Sequence, residues 1–142
     1  MIKKFACYGA GLLLLWGSAL AVAVAQESTP GRKADAFQLT RAVMCEIIEN
    51  FEPLGVAAVF PVEAGRVSCY TAFRGIHDTT HVVHKWYRRD ELVTTKRLTL
   101  KTPSWATYSS IQLREADKGP WRVEVLHAEG RLLRTLRFSV AD

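Results

Sequence analysis

Apolar and polar residues alternate along most of this chain, and the alternation has period two. That spacing belongs to a β-strand, whose successive side chains leave opposite faces. Residues 37–48 place Phe37, Leu39, Val43, Cys45 and Ile47 on one face. Residues 66–74 do the same with Val67, Cys69, Thr71 and Phe73, and residues 80–88 with Val82, His84 and Trp86. Further strands are predicted at 91–100, 105–113, 121–127 and 132–140. The last two carry the apolar sets Trp121, Val123, Val125 and Leu136, Phe138, Val140. Arg89-Asp90, Asp117-Lys118-Gly119-Pro120 and Glu129-Gly130 read as turns, and Pro103 breaks the chain before Trp105. Residues 52–64 fit either a short helix or an edge strand. Seven short strands, close turns and no strong amphipathic helix predict an all-β domain over 37–142. The expected architecture is an antiparallel immunoglobulin-like β-sandwich with Trp86, Trp105 and Trp121 as its core.

One segment departs from the alternation. Lys3 and Lys4 precede an apolar run from Phe5, centred on Leu12, Leu13, Leu14, Leu15 and Trp16. Ala23-Val24-Ala25 then stands before Gln26, as in an A-x-A cleavage site. Residues 1–25 are therefore read as a signal helix that directs export, and the polar residues 26–36 as a linker. The competing reading is an uncleaved anchor, since Phe5 to Ala25 is about long enough to cross a hydrocarbon core of ~30 Å. Cys7 lies before the apolar core of leucines and is expected to leave with the signal.

Composition narrows the picture. The chain has 142 residues, 49% of them hydrophobic and 23% charged. That allows one compact domain and excludes a disordered chain. The net charge is +5, and losing Lys3 and Lys4 lowers it to +3. So mild a bias does not mark a nucleic-acid binder, which concentrates basic charge on one face. The expected partners are an anionic glycan or an envelope protein, with the membrane a partner only if the N-terminal segment stays uncleaved. Cys45 and Cys69 remain after cleavage. In an oxidising compartment the pair is expected to form a disulfide, the competing reading being two buried free thiols.

Several short motifs occur in a fixed order: His84-x-Trp86-Tyr87, Trp105-x-x-Tyr108-Ser109-Ser110, Gly119-x-Trp121-x-Val123-x-Val125, Gly130-x-x-Leu133 and Phe138-x-Val140. Together they resemble the domain-of-unknown-function family numbered 2914, an all-β bacterial envelope domain. The resemblance runs over roughly residues 41–140. Met44-Cys45 and Cys69-Tyr70-Thr71 match positions where some members carry cysteines. Tyr108 and Ile111 depart from the pattern, which often has Trp and a basic residue there. The resemblance implies an envelope module and brings no activity, cofactor or catalytic residue.

Four histidines, His77, His81, His84 and His127, invite a metal reading. Residues three apart on a strand point to opposite faces, so His81 and His84 would not share an ion. No metal or other cofactor is expected. His84 shares the apolar face of Val82 and Trp86, where it would hydrogen-bond a carbonyl or a serine hydroxyl. Ser109 and Ser110 lack the G-x-S-x-G turn of a serine nucleophile and fit cross-strand hydroxyl pairing better. The carboxylates fall mainly at turns and form no facing pair of the glycosidase kind. Candidate ligand-contacting residues are His84, Trp86, Tyr87, Trp105 and Tyr108. Candidate anion-binding residues are Arg88, Arg89, Arg97 and Lys101, with Lys96, Arg122 and the run Arg131, Arg134, Arg137 able to extend the surface. The reading that follows is an exported, non-enzymatic binding or scaffold module of the bacterial envelope. Its alternative is a small periplasmic enzyme or enzyme inhibitor centred on His84.

Overall fold

A computed structural model describes residues 37–142. The proposed signal segment and linker lie outside the described residues. All seven predicted strands are present: β1 (Gln38–Cys45), β5 (Arg66–Arg74), β6 (Thr80–Arg88), β7 (Glu91–Leu100), β8 (Ser104–Gln112), β9 (Gly119–His127) and β10 (Leu132–Ala141). Three strands of three residues each occupy the stretch between β1 and β5: β2 (Ile47–Glu49), β3 (Glu52–Leu54) and β4 (Val59–Pro61). A 3-10 turn at Val62–Ala64 completes that stretch, so edge strands rather than an α-helix form there.

The strands make an open β-sandwich. One sheet has the order β1-β5-β8 and the other β4-β10-β9-β6-β7, while β2 and β3 form a separate hairpin. The ladders are antiparallel except for the edge pair β4–β10. Each sheet turns its apolar face inward. Val67, Cys69 and Phe73 of β5 meet Val82 and Trp86 of β6, Trp121, Val123 and Val125 of β9, and Phe138 and Val140 of β10. Phe138 is an aromatic hub. Trp121 stacks on it at 5.9 Å, and Phe60 and Trp86 approach edge-on at 5.9 and 6.0 Å. Such pairs add to the stabilisation that burial alone supplies.

Two expectations are corrected here. Trp105 is 37% exposed on β8, an edge strand, with Lys101 Nζ 5.3 Å above its ring. The core holds Trp86 and Trp121 instead. The expected Cys45–Cys69 disulfide is also not formed, and both cysteines are free and buried. The cause is a bulge in β1. Leu39 pairs with Phe73 and Arg41 with Ala72, which leaves Thr40 as an extra residue. Its hydroxyl donates to Ala72 O at 3.0 Å and anchors the irregularity. One extra residue exchanges the two faces of everything that follows. Met44 therefore lies opposite Cys69 in the core, and Cys45 opposite Ser68 on the outer face. The two thiols leave opposite sides of the sheet. Burial pushes the Cys45 thiol up to about 11 and also raises that of Cys69, so neither is an activated thiolate.

Candidate functional site

His84 lies wholly inside the sandwich. Its Nδ1 is 2.7 Å from Ser109 Oγ on β8, and its Nε2 is 3.2 Å from Thr71 Oγ1 on β5. Trp86 Nε1 donates to the same Ser109 Oγ at 3.0 Å, and Thr71 Oγ1 donates to Thr107 O at 3.4 Å. One assignment of protons satisfies every group. The indole N–H donates to Ser109, whose hydroxyl donates to His84 Nδ1. His84 Nε2–H donates to Thr71, whose hydroxyl donates to the Thr107 carbonyl. The imidazole in this chain is neutral, and desolvation lowers its pKa from 6.5 to about 4.

Although a serine and a histidine touch, the arrangement cannot serve as a nucleophile and base. Ser109 is 6% exposed and His84 0%, so no substrate reaches either. The second ring nitrogen meets a hydroxyl and not a carboxylate, so nothing stabilises an imidazolium. Ser110 faces the other way and shares a 2.7 Å hydrogen bond with Ser68. His81 stands on the outer face, His84 on the inner, and the ring of His127 stacks on Phe37 at 4.9 Å.

The five candidate ligand-contacting residues do not converge. His84 and Trp86 are sealed in the core. Tyr87 lies on the outer face of the five-stranded sheet, whereas Tyr108 stands on the outer face of the other sheet opposite Tyr70. Trp105 is on the β8 edge. The four candidate anion-binding residues also separate. Arg88 pairs with the buried Asp117 at 3.3 Å. Asp117 also accepts the Arg114 backbone N–H at 2.9 Å, and its carbonyl accepts Trp121 Nε1–H at 2.7 Å. Arg88 is thus a structural cation. Arg97 is opposite Val83 and Lys101 follows the end of β7, both remote from the β6–β7 turn.

Arg89 does enter a cleft, together with Arg122 and Arg137. The cleft measures about 100 Å3 and is lined by Tyr87, Arg89, Asp90, Pro120, Trp121, Arg122 and Arg137. Three elements build it. Arg122 on β9 lies directly opposite Arg137 on β10 and, on its other side, opposite Tyr87 on β6. The Arg122 guanidinium rests 4.0 Å above the Tyr87 ring. It donates to Glu124 Oε1 at 3.3 Å and to Asp90 Oδ1.

The β6–β7 turn forms the wall of this cleft. Arg89 and Asp90 have φ of 46° and 65°. That is the left-handed pair a two-residue hairpin turn requires, usually supplied by Asn and Gly. The Arg89 N–H donates to Pro120 O at 3.1 Å and ties the turn to β9. Its side chain lies over Gly119, where an added Cβ would come within 3.2 Å of Arg89 Nε and Nη2. Gly119 also has φ of 116°, so glycine is needed twice over. Arg122 and Arg137 were legible as a pair from the predicted turn at Glu129-Gly130. They lie equally far from its centre, and an antiparallel hairpin sets such residues opposite each other.

No curated protein matches this chain. Residues 79–140 match a family model described as Protein of unknown function (DUF2914). The match opens at β6 and runs through β10, so it includes His84, Trp86 and every residue lining the arginine cleft. It omits both cysteines. Over residues 79–140 this chain is similar to the DUF2914 family.

Proposed function

We propose that this chain is an exported, non-enzymatic binding or scaffold module of the bacterial envelope. Its ligand is a glycan, a peptidoglycan fragment or an envelope protein. One observation carries the non-enzymatic reading: the imidazole best suited to acid–base chemistry is buried, neutral and consumed by Thr71 and Ser109. The binding reading is supported by the guanidiniums and a tyrosine gathered in one cleft at the end of a sheet. Export rests on the N-terminal pattern of Lys3, Lys4, the leucine run and Ala23-Val24-Ala25.

Two experiments test this. Expression of the full chain followed by cell fractionation and N-terminal sequencing is expected to yield a protein starting at Gln26 outside the cytoplasm. A start at Met1 in the cytosol overturns export. His84→Ala is expected to lower the melting temperature. If that variant melted like the parent while losing a hydrolytic activity that the parent has, the enzyme reading centred on His84 would replace the present one.

A further inference from the structure

The arginine cleft has a charge arrangement that its own carboxylates do not balance. Like charges directly opposite on neighbouring strands repel, yet Arg122 and Arg137 occupy such a pair. Both available carboxylates, Asp90 and Glu124, serve Arg122. Among the described residues, no carboxylate pairs with Arg89 or Arg137. The two carboxylates also differ in exposure. Glu124 is 23% exposed and sits beside Arg122 on β9, whereas Asp90 is 88% exposed at the tip of the turn. Glu124 and Tyr87 thus fix the Arg122 guanidinium in place, and Asp90 occupies its outward-facing nitrogen.

We propose that this cleft binds an oxyanion, a carboxylate or phosphate group carried on a larger ligand, between Arg89, Arg122 and Arg137. Asp90 acts as an internal stand-in that the incoming oxyanion displaces from Arg122. The chemistry is that of guanidinium forks, which donate paired N–H groups to planar or tetrahedral oxyanions. Arg122 is pre-organised by its ring and its inner carboxylate, so little side-chain freedom is lost on binding. The strained turn that holds Arg89 and Asp90 at positive φ places one binder and one competitor at the mouth of the same cleft. Residues kept in such conformations commonly mark ligand sites. The proposal rests on the binding-module reading and names the chemistry of its ligand.

The test is an NMR titration of the full chain with sodium phosphate and, separately, with sodium glucuronate, at ionic strength held constant with chloride. The amide and Nε–H signals of Arg89, Arg122 and Arg137 are expected to shift saturably. Phosphate alone saturating assigns a phosphorylated ligand, glucuronate alone an acidic sugar, and both together a general oxyanion site. Arg137→Gln is expected to weaken binding about fivefold or more, the scale of one lost charge-assisted hydrogen bond. Arg89→Gln serves the same purpose if Arg137→Gln fails to fold. Asp90→Asn is expected to tighten binding severalfold, while Glu91→Gln, which removes the same charge just outside the cleft, changes it less than about twofold. The proposal falls if neither anion gives a saturable shift, if the arginine variants titrate like the parent, or if Asp90→Asn and Glu91→Gln behave alike. Such a failure leaves the export and His84 tests untouched, so the two readings fail separately.

Discussion

Two polar clusters lie on opposite faces of the five-stranded sheet, with β6 contributing to both, and they differ in completeness. The inner one links Trp86, Ser109, His84, Thr71 and the Thr107 carbonyl, and every donor in it has an acceptor. The outer one gathers three guanidiniums around two carboxylates and leaves Arg89 and Arg137 without an ion pair among the described residues. Residue type alone would rank them the other way, because a histidine touching a serine suggests catalysis and scattered arginines suggest solubility. Completeness reverses the ranking. A closed network in a dry interior specifies one packing of two sheets. An open one at the surface has donors to offer.

The comparison can be broken in four places. Trp86→Ala removes a buried indole and strands the Ser109 hydroxyl network, so about 3–5 kcal/mol of stability is expected to go. The melting temperature should fall by more than about 10 °C, and a smaller fall would mean that the inner cluster is not the joint between the sheets. Next in size is a pH effect. His84 has a folded pKa of about 4 against an ordinary 6.5. Between those values the unfolded chain takes up the proton and the folded one does not. Stability is therefore complete above about pH 6.5, declines as pH falls toward 4 and levels off below it. The full decline is on the order of 3 kcal/mol. Urea midpoints measured across that window should show it, and His84→Gln should flatten the dependence.

Gly119→Ala forces a side chain onto a positive φ and against the Arg89 guanidinium. A loss of about 1–3 kcal/mol is expected, readable in denaturant unfolding, together with weaker anion binding. Stability equal to the parent's would show that the β6–β7 turn is not clamped to β9. The smallest effect is that of Arg137→Gln, which removes one of two opposed like charges. Its melting temperature is expected within about 2 °C of the parent's, as for most surface substitutions. A large fall would place Arg137 in the structural class with Arg88.

Most of the strand layout was legible because alternation survives wherever one sheet face is buried. β5, β6, β9 and β10 bury the sets that period two assigns to them, for instance Val67, Cys69, Thr71 and Phe73. β1 was read in the wrong phase after Thr40, since a bulge adds a residue without altering composition. Strand pattern alone predicts Trp105 in the core, because it does not say which strand lies at an edge. His84 was correctly set on an inward face, but its partners come from β5 and β8, and pairing between sheets leaves no trace in local spacing. The cleft was half visible for the same reason. Arg122 and Arg137 belong to one hairpin, whereas Arg89 reaches them only through the docking of a second.

The bulge at Thr40 has a practical corollary. With the two thiols on opposite sides of β1–β5, the domain needs no oxidant to reach its final state and gains nothing from one. A reducing cytosol is therefore as good a place to manufacture it as any other, and isomerase strains or refolding mixtures are superfluous. Deleting Thr40 would set Leu39 and Arg41 in consecutive pairs with Phe73 and Ala72 and leave Cys45 opposite Ser68, so even a β1 made regular in that way keeps the thiols apart.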